Sequence, residues 1–225
     1  MINLAAAAAF LLAIHTVPSS PLRPWAIDRL GLKLYLGLFA VISAGALVWL
    51  IMAFRAAPAV YPLWITSGPA RFFTAFVMLA AFILLVAGLT SPNPSAPGGG
   101  SNHGKREPWR GINAVTRHPV LWAIGIWGIL HLINRPDPVT LLFFGTLTLL
   151  ALGGARLQER RKRVELGKTW REFEAHTSFV PFVAILQKRA VFSLSDISYW
   201  RIAAGVALWA VVLATHGVLF GVSAL

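Results

Sequence analysis

Two histidines bracket an otherwise apolar stretch, TRHPVLWAIGIWGILHLINR, with His118 near its start and His131 near its end. Between Pro119 and Leu130 no charged or amide side chain occurs, and Arg117 and Arg135 stand close to the two imidazoles. An imidazole can carry a proton, accept one or ligate a metal. Inside lipid it pays a desolvation cost that leucine would not, so a titratable group within a span marks function by default. On one helix the two rings would lie about 20 Å apart along the axis and point about 140° away from each other. They cannot share a ligand from that helix.

His131 has Val120, Ile124, Trp127 and Gly128 on its own face. A glycine one turn before the histidine leaves room for something flat and bulky; ordinary close packing of helices explains it equally well. His15 is the second deep imidazole. It follows an alanine-rich helix and precedes TVPSSPLRPW, where Pro18 frees a backbone carbonyl and two serines would be costly in lipid. If the first span ends at Ala13, His15 lies near the membrane surface. A helix continuing, kinked, to Trp25 puts it near mid-membrane and close to the depth of His131. The second reading needs no polar loop in lipid and is the one expected. The other imidazoles call for less. His103 lies in a polar loop, and His176 follows a charged helix. His216 stands beside GVLFG, a small-xxx-small pattern suited to helix packing. His118, with Arg117, falls at a helix entry, where a headgroup boundary tolerates it.

The elements that position these residues follow from composition. Of 225 residues, 57% are hydrophobic and only 12% charged, and the mean hydropathy is +0.69. A soluble domain is about one quarter charged, so an all-α, polytopic membrane bundle forming a single domain over 1–225 is expected. The absence of cysteine excludes disulfides, thiolate catalysis and Cys-bound metal centres. The start, MINLAAAAAFLLAIH, lacks a basic leader region and reads as a retained span. Six spans emerge: one from Leu4, then Leu32–Phe54, Ala70–Thr90, Val115–Ile133, Val139–Ala155 and a C-terminal one. NRPDP makes a tight turn between the fourth and fifth.

The +12 net charge is one-sided. With the N-terminus outside, seventeen of the twenty Lys and Arg fall in inner loops and only Arg55, Arg71 and Arg135 fall opposite. The positive-inside rule then predicts both termini periplasmic, in a multi-pass protein of a bacterial inner membrane. Interleaved acids and bases argue against nucleic acid as a partner; the lipid bilayer is the expected one. Residues 91–114 read as a flexible inner loop, rich in Gly, Pro, Ser and Asn. Residues 156–200 read as an inner amphipathic segment lying on the bilayer through Trp170 and Phe173. No internal repeat is visible.

Three stretches carry a resemblance: IHTVPSSPLRPW…GLKLYLGLFAVIS, INAVTRHPVLWAIGIWGILHLINRPDP and ERRKRVELGKTWREFEAHTSFVPFVAI. Together they resemble the NnrU family, which is similar to the 15-cis-zeta-carotene isomerase of plants and cyanobacteria. The resemblance implies a membrane haem b protein linked to nitrite and nitric-oxide metabolism, or a redox-gated cis–trans isomerase of a hydrophobic polyene. It implies His15 and His131 as iron ligands, with Arg117 and His118 at a haem propionate or the headgroup boundary. The isomerase's alternative cysteine ligand falls on Gly128, a departure that removes one exchangeable ligand. The part from Arg117 to Phe182 also resembles the isoprenylcysteine and phospholipid methyltransferases, with Trp122 in place of their usual tyrosine. That resemblance implies S-adenosylmethionine at the Arg-His-Pro entry and has no use for His15. A non-enzymatic membrane scaffold is the third reading.

Overall fold

The computed structural model describes residues 1–96 and 107–225. His103 and the centre of the polar loop lie outside them. Among the described residues the regular structure is entirely helical: α1 (Ile2–Thr16), α2 (Leu22–Leu30), α3 (Leu32–Arg55), α4 (Gly68–Thr90), α5 (Ile112–Val115), α6 (Pro119–Asn134), α7 (Pro138–Leu166), α8 (Lys168–His176), α9 (Val183–Leu186), α10 (Leu194–Ile197) and α11 (Tyr199–Phe220). Five helical stretches are long and apolar enough to cross a bilayer: Ile2–Ser19, α3, α4, α7 and α11. The sixth apolar helix, α6, has 16 residues. At about 24 Å it is shorter than a hydrocarbon core of about 30 Å.

The long helices neighbour one another in the order α3, α1, α7, α6, α4, α11. Small residues set the closest approaches. A side chain at Gly88 of α4 would meet Pro119 and Val120 of α6 at 2.9 Å, and one at Gly205 of α11 would meet the backbone of Ile83 at 2.8 Å. On α6, Gly125 faces Leu152, and a Cβ at Gly128 would overlap the Thr148 hydroxyl of α7. Lipid tails are as apolar as leucine, so such close van der Waals packing does much of the work of association. The space beside Gly128 is therefore filled by α7. GVLFG makes no close helix contact: Gly217 has open space around it, and His216, half-buried, packs on Phe220 and bonds the Val222 carbonyl through Nδ1 at 2.7 Å.

Two sequence boundaries change. The first helix does not run on to Trp25. It ends at Thr16, tightens into one 3-10 turn at Val17–Ser19, and breaks at Ser20, which is extended. Pro18 and Pro21 supply no N–H to continue the ladder, and the Ser20 hydroxyl donates to the Val17 carbonyl instead. His15 thus stands in the last turn of α1 rather than in the middle of a long kinked span. Conversely, the fifth span does not stop at Ala155. It continues unbroken to Leu166, so Arg156–Leu166 form the last turns of one helix of about 44 Å. Its start is as the sequence suggested. Asp137 caps it, accepting from the N–H groups of Val139 and Thr140 at 2.9 Å each.

One end of the bundle gathers the bases. Arg201 donates to the Thr90 carbonyl at 2.9 Å, and Arg23 pairs with Glu165 at 3.1 Å. The other end is closed by Trp64 and Thr66, which donate to the carbonyls of Ile133 and Asn134 at 3.0 and 2.8 Å. From the positive-inside rule, the basic end is expected on the cytoplasmic side. Alkaline phosphatase fused after Leu225 is expected to be active and a fluorescent protein fused there dark; the reverse pattern would invert the orientation.

Candidate functional site

The polar residues that sequence singled out at the entry of α6 become part of a buried ionic cluster at the basic end. Every residue from Gly111 to Pro119 is buried, although only α5 there is helical. Non-helical backbone near a membrane is tolerated only where protein satisfies it, and here it does so throughout. The Arg117 N–H donates to the Ser178 carbonyl at 2.9 Å, and the Phe182 N–H donates to the Val115 carbonyl at 2.8 Å. The Arg117 carbonyl accepts from Ser95 Oγ at 2.8 Å and Asn93 Nδ2 at 3.1 Å. Thr116 Oγ1 and Trp122 Nε1 both donate to the Phe179 carbonyl at 2.7 Å. Gly111, at φ 63°, is required because a Cβ would lie 2.7 Å from the Asp196 carbonyl oxygen.

Into this frame the side chain of Arg117 projects. Its Nη1 reaches Glu159 Oε1 of α7 at 3.1 Å and Glu174 Oε1 of α8 at 2.8 Å, while Nη2 donates to the Thr177 carbonyl at 2.9 Å. Arg163 forks onto both oxygens of Glu174, at 2.6 and 2.9 Å. His118, 2% exposed, places Nε2 3.1 Å from Glu159 Oε1. With the carboxylate held by Arg117, the imidazole proton belongs on Nε2, so Nδ1 is a bare nitrogen; it is buried and has no partner among the described residues. Burial pushes the imidazole below its ordinary pKa, against the opposing bond to Glu159. For Glu174, burial acts upward but Arg163 and Arg117 prevail and hold the carboxyl below its usual range. The arrangement can hold a neutral histidine with one fixed proton and one open acceptor beside a charge-balanced Arg–Glu pair.

The segments expected to be flexible or membrane-lying are part of this site. Asn93, Pro94 and Ser95 are buried against Arg117 and Asn113, so the beginning of the 91–114 loop is built into the fold. Trp170 and Phe173 do not lie on lipid. They are 0% and 1% exposed, because their helical face turns inward, next to the cluster that Glu174 completes.

His15 and His131 are elsewhere. His131 stands in the last turn of α6, its ring stacked on Phe144 of α7 at 4.4 Å and tilted on Trp127 at 5.1 Å. Phe54 and Phe143 extend this aromatic wall, their rings 4.3 Å apart. His15 lies on α1, edge-on to Phe39 of α3 at 5.4 Å. Each ring points its Nδ1 at the carbonyl one turn back, Leu11 for His15 at 2.8 Å and Trp127 for His131 at 2.7 Å. Both therefore present Nε2. Among the described residues no hydrogen bond or ring contact joins the two. Arg117 and His118 stand at the opposite end of α6 from His131, about 20 Å away along its axis. His176 stacks on Trp109 at 4.5 Å. Glu159 and Glu174 went unread in sequence because they belong to a segment of interleaved acids and bases in which no local pattern marks a distant partner.

These features define a helical membrane-spanning protein with an ion-paired plug at its basic end and an aromatic-walled histidine near the other. The chain belongs to the NnrU family: the family model, described as NnrU protein, matches residues 3–224. No match was found among curated proteins or among solved structures.

Two outcomes are expected from the ionic cluster. Glu159→Ala leaves Arg117 and His118 without their shared acceptor and costs about 3–5 kcal/mol in reversible detergent unfolding; Glu159→Gln, which keeps an acceptor oxygen, costs less. The second concerns pH. A group whose folded pKa is depressed stabilises fully above its unfolded value and loses that contribution as pH falls through the folded one. Stability should therefore decline from about pH 6.5 downward through His118, and from about pH 4.5 through Glu174. His118→Gln should remove the upper limb alone, as read from melting temperature against pH.

Proposed function

We propose that this NnrU-family protein is an integral membrane haem b protein whose iron is held by His131 and His15. The observation that carries the reading is the state of the two imidazoles. Each is fixed by an Nδ1 bond to its own helix backbone, which selects the tautomer whose Nε2 lone pair can bind a metal. Bis-histidine ligation suits a b-type group, and two imidazoles with open Nε2 atoms are the donor type it needs; to share one iron, His15 in the last turn of α1 and His131 in the last turn of α6 would have to approach each other. Trp127, Phe143, Phe144 and Phe54 give His131 an apolar flank against which a flat ring system is at home.

When bound, reduced haem supplies a coordination position that can polarise a double bond or take nitric oxide. Within this reading, a hydrophobic polyene entering from the lipid is the substrate of a cis–trans isomerisation, and a role in nitrite and nitric-oxide metabolism uses the same position. The chain's own part is to orient and to exclude water. The Trp127 carbonyl fixes the His131 ring, Phe144 covers one ring face, and α7 fills the space at Gly128 with Thr148. Gly128 offers no side chain that could exchange with a histidine, so an open position on a bound haem would require His15 or His131 to be displaced.

Purified protein in detergent is expected to show a Soret band that His131→Ala abolishes and His15→Ala shifts, while His176→Ala leaves it unchanged. Wild-type spectra in both His131→Ala and His15→Ala would overturn the ligand assignment. Carbon monoxide added to the reduced protein should shift the band; an unchanged six-coordinate spectrum would restrict the haem to electron transfer. S-adenosylmethionine should leave the melting temperature unchanged. A saturable stabilisation lost in His118→Gln would replace the haem reading with methyl transfer at the Arg117–His118–Glu159 cluster.

A further inference from the structure

The interfacial surface that sequence assigned to Trp170 and Phe173 has to be sought elsewhere, and the strap between Phe179 and α11 has its properties. It crosses the basic end of the bundle beneath α5. Its small residues Ala184 and Ala190 are buried against Ala114. That seating turns the large side chains outward: Phe182 is 54% exposed, Leu186 78% and Val191 79%, with Val180, Phe192 and Leu194 exposed beside them. In water this would be an unusually concentrated apolar patch on a segment with no partner.

Position and charge say what covers it. The strap ends in Ile197, which packs in one cluster with Leu84 and Ala87, residues inside the spanning helix α4. Two residues later α11 begins, with Tyr199 and Trp200 both exposed at its first turn, where aromatic residues mark a membrane boundary. The strap therefore lies at headgroup depth, continuous with the lipid-facing surface of two spans. From Val180 to Ser195 it contains no acid; Lys188 is exposed at its crest, while Arg189 folds back to donate to the carbonyls of Ala175 and Thr177 at 2.7 and 2.9 Å. Its backbone is held in a shape that serves the outward face: Phe182 and Lys188 adopt φ of 66° and 57°, unusual for residues with side chains. A bulky residue kept left-handed and exposed gains nothing in water and gains burial in lipid.

We propose that Val180–Leu194 is a membrane-inserted strap, with Phe182, Leu186 and Val191 immersed in the leaflet at the basic end and Lys188 on the phosphates of anionic phospholipids. This surface is independent of the haem reading. It is a monotopic contact added to the spans, and attraction to anionic headgroups follows from its acid-free, basic crest.

The cysteine-free chain makes the test direct. Leu186→Cys and Val191→Cys, labelled with an environment-sensitive fluorophore, are reconstituted as full-length protein in vesicles of phosphatidylcholine with or without phosphatidylglycerol. Val164→Cys, on the exposed last turn of α7, is the aqueous reference. Labels at both strap positions are expected to emit to the blue of the reference. Lipids spin-labelled near the headgroup should quench them at least two-fold more strongly than they quench the reference, and iodide less. Phosphatidylglycerol should deepen the quenching, and Lys188→Glu should reverse that gain. Iodide quenching equal to the reference would overturn the insertion. Shielding from both quenchers would assign the patch to a protein partner and overturn it too. Equal depth in both lipid mixtures would overturn the role of anionic headgroups.

Discussion

The guanidinium of Arg117 is the point at which four segments meet. It binds Glu159 from the end of a spanning helix, Glu174 from the helix that follows, and the carbonyl of Thr177 from the chain just beyond that helix. Its own backbone is held by Ser178 on one side and by Asn93 and Ser95 on the other. Without that convergence, the irregular chain from Gly111 to His118 would expose unsatisfied amides at the membrane boundary. The two carboxylates are shared by several guanidinium groups: Arg117 on both, Arg163 on Glu174, and Arg156 3.8 Å from Glu159. The desolvation cost is met by geometry, with nearly all donors occupied, rather than by charge attraction alone.

His118 is carried into this cluster by its neighbour. It caps the entry of α6 and cannot avoid burial once Arg117 is anchored, and Glu159 gives its Nε2 a partner while Nδ1 stays bare. Protonation at Nδ1 would add a donor with no acceptor next to two arginines. The imidazole is therefore kept neutral by its position, and acid is expected to weaken the basic end of the bundle for that reason.

The short helix α6 divides the molecule's polar chemistry into two layers. One face of it is drawn onto α7 by Gly125 and Gly128, so closely that Thr148 lies where a side chain would stand. That approach stacks His131 on Phe144 and fixes its ring. His15 stands apart from this wall, packed on Phe39 in the last turn of α1, a helix that two prolines end early. The ionic layer and the histidine–aromatic layer share a helix but no residue.

The sequence by itself determined the helical membrane class, the number of apolar segments, the tight Asp137-capped turn and the concentration of bases at one end. These depend on local composition and on the length a bilayer demands, and both are readable residue by residue. It also marked Arg117, His118, His131 and His15 as polar residues out of place. What only the tertiary structure decided was who meets whom. Trp170 and Phe173 have the spacing of a lipid-facing stripe, and the same spacing serves a face buried in protein; burial depends on a neighbouring surface that periodicity does not describe. Gly128 could have been a ligand's vacancy or a helix contact, and the approach of Thr148 settled it. Glu159 and Glu174, 42 and 57 residues from Arg117, became its partners because α7 and α8 fold back across the entry of α6. Pairing at that separation is set by the path of the chain, which no local pattern encodes.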